Sequence, residues 1–80
     1  MSEIIKYRGR LAKKQADARR LEMGMRGDMH AVRELLDPFE PTETIQAEVA
    51  AAQAVELAAK HAEYLGLLEE IKALKRALGE

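Results

Sequence analysis

Two prolines three residues apart, Pro38 and Pro41, divide the chain into two helical arms. Neither can donate a backbone hydrogen bond, and each pushes the residue before it, Asp37 and Glu40, out of the α region toward extended backbone. The first helix must therefore stop near Leu36. Thr42 is placed to accept a hydrogen bond from the first free amides of a second helix, and Glu43 puts an acid where the helix dipole favours one, so that helix is expected to restart at about residue 43. A short connection between arms of near-equal length favours antiparallel neighbours. The expected fold is all-α: one antiparallel two-helix hairpin, coiled-coil-like, with helices over about 3–36 and 43–78 and a turn over 37–42.

With 80 residues, one Phe, two Tyr, no Trp and an apolar content dominated by Ala and Leu, the chain has too little bulk for a compact globular core. Burial has to come from a seam between helices. The formal charge of −1 conceals an asymmetry: residues 1–36 carry nine Lys/Arg against five acids, and residues 37–80 carry four against nine. Helices of opposite charge lying side by side account for it. Cysteine is absent, which excludes a disulfide framework and a thiolate metal site and fits a reducing compartment. No run approaches the ~20 apolar residues of a membrane span, and the Met-Ser-Glu start lacks the apolar core of a signal peptide, so the expected location is cytoplasmic.

Along the first arm Ser2 and Glu3 make a capped, acidic first turn. From there Ile4, Leu11, Ala18, Met25 and Val32 recur every seven residues, which is a heptad stripe. Its companion positions Tyr7, Lys14, Leu21, Asp28 and Leu35 are only partly apolar, so Lys14 and Asp28 need solvent or partners. Gly24 and Gly27 each cost a helix about 1 kcal/mol relative to Ala. Either the helix breaks there, with Asp28 capping a new one, or the glycines allow close approach. A hairpin centred near residue 40 favours the continuous helix, because it sets Met25 and Met29 opposite the Ala-rich stretch 50–55. Arg26-Gly27-Asp28 also spells an adhesion tripeptide, which a helical setting does not present as a loop.

In the second arm Leu57, Tyr64, Leu67, Ile71, Leu74 and Leu78 alternate spacings of three and four, with Lys60 the exception. Upstream, Ile45, Val49 and Ala52 are offset by one residue, so the stripe is expected to drift near Val55 and Glu56. Lys72, Lys75, Arg76 and then Gly79 are stop signals. A second stripe, Ala51, Ala54, Ala58, Ala62 and Leu65, runs on nearly the opposite side. Ala suits an exposed helix position because it is the best helix former. Yet a lone hairpin covers one face only and buries little, which favours docking of another copy through this stripe. The expected partner is a second chain, giving a homodimer and a four-helix bundle.

Catalysis is not expected. Two long helices offer no concavity, His30 and His61 are off register with each other, and neither lies in a metal-type spacing. Glu69 and Glu70 point about 100° apart on a helix. No cofactor or metal is implied. The rival to a self-associating interaction module is a nucleic-acid-associated protein using residues 6–20, which hold seven basic residues and one acid. Lys6, Arg10, Lys13, Lys14 and Arg20 are its candidate contacts, although the acids of the second helix compete for them, and one Tyr is too little for stacking. Phe39, between the prolines, is expected to fold back onto Leu35, Leu36 and Ile45; exposed, it would be an anchor for a partner.

The runs 8–11 (RGRL), 18–22 (ARRLE), 26–28 (RGD), 35–41 (LLDPFEP) and 71–79 (IKALKRALG) together resemble small helical accessory proteins encoded among the early genes of Mu-like transposable phages and prophages. The resemblance covers nearly the whole chain. It implies a bacterial, intracellular accessory protein and raises the weight of a partner in DNA transactions, and it carries over no activity and no site residues.

Overall fold

The computed structural model describes residues 2–80. Its order is α1 (Glu3–Leu35), a single 3-10 turn (Thr42–Thr44) and α2 (Ala47–Ala77), with the two helices packed along their length as a helical hairpin. The rod measures 63 × 17 × 14 Å, longer than one helix because residues 36–46 extend it at one end.

The caps explain the limits of each helix. Ser2 Oγ accepts from the Ile4 amide at 3.1 Å, closing the N-terminus of α1. At the same open end the Glu80 and Gly79 amides return to the carbonyls of Lys75 and Arg76, closing the C-terminus of α2 with Gly79 at φ 77°; this left-handed closure is one glycine allows without a Cβ clash. The turn departs from expectation. Asp37 Oδ1 accepts from the Phe39 amide at 2.9 Å, and the Thr44 hydroxyl lies 2.9 Å from Glu40 Oε2. Residues 42–44 form their own turn, Ile45 is extended, and α2 begins at Ala47 rather than at Glu43. Thr42 makes no cap; Pro41 and Gln46 occupy the capping positions without side-chain hydrogen bonds.

That longer connection shifts the register. Cross-helix bonds join Lys14 to Glu70, Glu22 to Tyr64 and Asp28 to both Gln53 and Lys60, so facing residues sum to 81–88, above the expected value of about 80. Met25 and Met29 consequently share a groove with Ala54, Leu57, Ala58 and His61, overlapping the end of the stretch 50–55 and running beyond it. The seam itself is more regular than expected. Ala50, Gln53, Leu57, Lys60, Tyr64, Leu67, Ile71, Leu74 and Leu78 alternate three and four without interruption, and all are buried or half-buried. Ile45, Val49 and Ala52 are exposed and lie off this line. The drift near Val55 does not occur, because Ala50, 2% exposed, carries the seam where Val49 was expected.

The core is thin. Leu11, Ala18 and Ile71 form its centre, with Tyr64, Leu67, Leu74 and Leu78 packed against them. Toward the turn the apolar seam gives way to a polar lock. Asp28, 7% exposed, receives Lys60 Nζ at 2.8 Å on one oxygen and Gln53 Nε2 at 2.7 Å on the other. The two polar interruptions of the heptads therefore satisfy each other. The Asp28 hydrogen bond raises the Lys60 ammonium above its ordinary value against the opposing effect of burial, and the Asp28 and Glu56 charges add to the rise. A hydrogen bond to Glu22 at 2.9 Å likewise raises the Tyr64 phenol.

α1 is continuous through both glycines, and Gly24 has a packing reason. A Cβ there would lie 3.3 Å from Lys60 Cε and 3.4 Å from Cδ, so the glycine makes room for the lysine stem on its way to Asp28. Gly27 has nothing within 4 Å. Gly27→Ala is therefore expected to stabilise the hairpin by about 1 kcal/mol in thermal melts, and Gly24→Ala by clearly less. Equal gains would mean that Lys60 does not lie across Gly24. In Arg26-Gly27-Asp28 the aspartate is held in the seam by Lys60 and Gln53.

Candidate interaction surface

At 100° per residue the second stripe of α2 points roughly 140° away from the seam. Ala51, Ala54, Ala58, Ala62 and Leu65 are all exposed, and Leu65 leaves 48% of its surface open. Ala54 and Ala58 form one wall of an open apolar groove of about 370 Å³, continued by Leu57 and His61 and closed on the α1 side by Met25 and Met29. Met29 is 48% exposed. The contribution of α1 to this surface was hidden in the sequence, because an assumed register of about 80 buried Met29 against residues 50–55. Its only signal is position: Met29 follows the seam residue Asp28, which turns it 100° toward the flank.

Phe39 does not fold back onto Leu35, Leu36 and Ile45. It is 93% exposed at the hairpin tip, beside an exposed Leu36. The reason is local: Pro38, the Asp37 turn and Pro41 fix the backbone on both sides of Phe39 and leave its side chain directed outward.

The basic segment is threaded with acids. Lys14 Nζ reaches Glu70 at 2.8 Å, Lys13 and Arg20 reach Asp17 at 3.6 and 3.0 Å, and Lys6 lies 4.0 Å from Glu3. Arg10 stacks over the Tyr7 ring, 5.8 Å from its centre. Burial works to raise Asp17, but hydrogen bonds and charge from Arg20 and Lys13 hold its carboxyl below the ordinary value. Such exposed pairs contribute little stability individually, yet they occupy charge that a phosphate would need.

His61 lines the methionine groove, whereas His30 lies near the turn with Arg33 and Glu34. Among the described residues, no group of three or more His, Cys, Asp or Glu side chains is placed to hold a metal ion. No helix among them is long and apolar enough to cross a membrane. No protein-family model matches this chain, and no curated protein or solved structure is significantly similar to it.

Proposed function

We propose that this chain is a non-enzymatic interaction module, a helical hairpin that associates with itself through the stripe Ala51, Ala54, Ala58, Ala62 and Leu65 and the adjoining methionine groove. One observation carries the reading. The hairpin exposes 6127 Å², where a compact chain of this mass exposes about 4,800 Å², and its radius of gyration is 18.1 Å against about 12 Å for a compact domain of this length. The excess exceeds the ~800 Å² that each partner buries in a standard interface. Part of it is an unbroken apolar flank rather than solvated charge. The Mu-like resemblance adds a bacterial, cytoplasmic accessory setting to the same reading.

The alternative, nucleic-acid binding through the first helix, draws support from the density of Lys6, Arg10, Lys13, Lys14 and Arg20. It is weakened by the acids that four of them already reach. Mass in solution separates the two. Light scattering at low and high salt is expected to give a dimer at both, since apolar contacts survive screening. A monomer at both, together with DNA binding that falls steeply with salt, would replace the first reading with the second.

A further inference from the structure

The charge of the hairpin is distributed along its axis as well as between its helices. Residues 34–59, which with the last turns of α1 build the turn end, hold six acids (Glu34, Asp37, Glu40, Glu43, Glu48 and Glu56) and no Lys or Arg, with Arg33 beside them. Residues 1–20, at the open end, hold seven basic residues against two acids, while the end of α2 beside them is balanced, with Lys72, Lys75 and Arg76 against Glu69, Glu70 and Glu80. The rod is thus negative at one end and positive at the other, with 63 Å between the extremes. At physiological salt charges are screened beyond about 8 Å, so the two ends of one hairpin do not feel each other. They act on whatever lies alongside.

The apolar flank has a matching symmetry. Ala51 and Leu65 stand seven residues on either side of Ala58, and Ala54 and Ala62 stand four on either side. A two-fold axis through Ala58 would set the Leu65 of each copy over the small Ala51 of the other, and Ala54 over Ala62. An isologous interface requires such self-complementarity. Parallel docking would instead oppose Leu65 to Leu65 and leave Ala51 facing Ala51, a bulge beside a gap that close packing penalises.

Resting on the self-association proposed above, we infer that the occupant of the flank is a second copy docked antiparallel, with its two-fold axis at Ala58 and each acidic tip against the partner's basic open end. Charge fixes the orientation, while the apolar stripe supplies the contact that persists in salt.

The chain has no cysteine, so a nitroxide label on Ala73→Cys or Ala52→Cys, both exposed positions, reports a single distance per dimer. At 1.5 Å per residue from an axis at Ala58, dipolar electron resonance should read about 45 Å for position 73 and about 18 Å for position 52. In a parallel dimer both would fall within about 25 Å of their partner and be nearly equal, because neighbouring helices lie 8–10 Å apart at every position. Equal short distances, or no defined distance, in a protein that light scattering shows to be dimeric would overturn the antiparallel docking and leave self-association standing. A monomer would overturn both.

Discussion

Asp28→Ala is expected to destabilise the hairpin by about 1–3 kcal/mol, the range for leaving buried charge-assisted hydrogen bonds unmade. Two donors lose their acceptor at once, since Gln53 Nε2 and Lys60 Nζ both end on Asp28. The lysine can partly turn outward, its side chain being 33% exposed, which keeps the loss below that of a fully enclosed ion pair. Against the few kcal/mol that a domain of 80 residues has in total, this is a large fraction. Replacing both charges, Asp28→Leu with Lys60→Leu, should by contrast be close to neutral, because no charge at the seam then needs desolvation, while Gln53, still in the seam, loses its acceptor. The double variant should lose uniqueness. With Asp28 and Lys60 gone, sliding by one heptad costs little, and amide spectra are expected to show more than one set of signals where the native protein shows one. A double variant as well ordered as the native chain would mean that the pair does not set the register.

Leu65→Glu is expected to weaken the proposed dimer at least 30-fold, since by symmetry such a dimer would carry the change twice. A buried leucine side chain contributes about 1.5–3 kcal/mol, and a carboxylate drawn into an apolar contact costs several more unless the dimer opens; 2 kcal/mol alone corresponds to about 30-fold. The hairpin itself should tolerate the substitution, because Leu65 is 48% exposed and lies outside the core cluster. Circular dichroism of the variant should therefore remain helical while its mass halves at low micromolar concentration. A variant that stays dimeric would remove Leu65 from the interface.

The parts of this fold that were legible in the sequence are those with strict local periodicity. Leu11, Ala18 and Met25 at sevens, and Tyr64, Leu67, Ile71, Leu74 and Leu78 at threes and fours, are the residues found buried or half-buried, because heptad spacing constrains which face of a helix can meet another. The prolines marked the break for the same local reason. Register was not legible. It depends on where α2 begins, and the extended Ile45 and the 3-10 turn at 42–44 displaced that start by about one helical turn. The error propagated: Asp28 and Lys60 both stood out as polar breaks in apolar stripes, yet a sum of 80 kept them apart, whereas 88 makes them partners. Phe39 failed differently, since its backbone is fixed by Pro38, Pro41 and the Asp37 turn before its side chain can seek burial. Of the candidate surface, the alanine stripe was readable from spacing alone, and the methionine wall was not, because it lies across a register that only the folded chain defines.

A hairpin with so thin a core is expected to gain stability from a second copy, and the most direct test is the melting temperature of the unmodified chain as a function of concentration. If folding and association are coupled, raising the concentration 100-fold adds about 2.7 kcal/mol of stability per mole of dimer by mass action, and the midpoint should climb by several degrees. A midpoint that stays constant across that range, for a protein that melts cooperatively, would show that the isolated hairpin is the stable unit and would contradict the account.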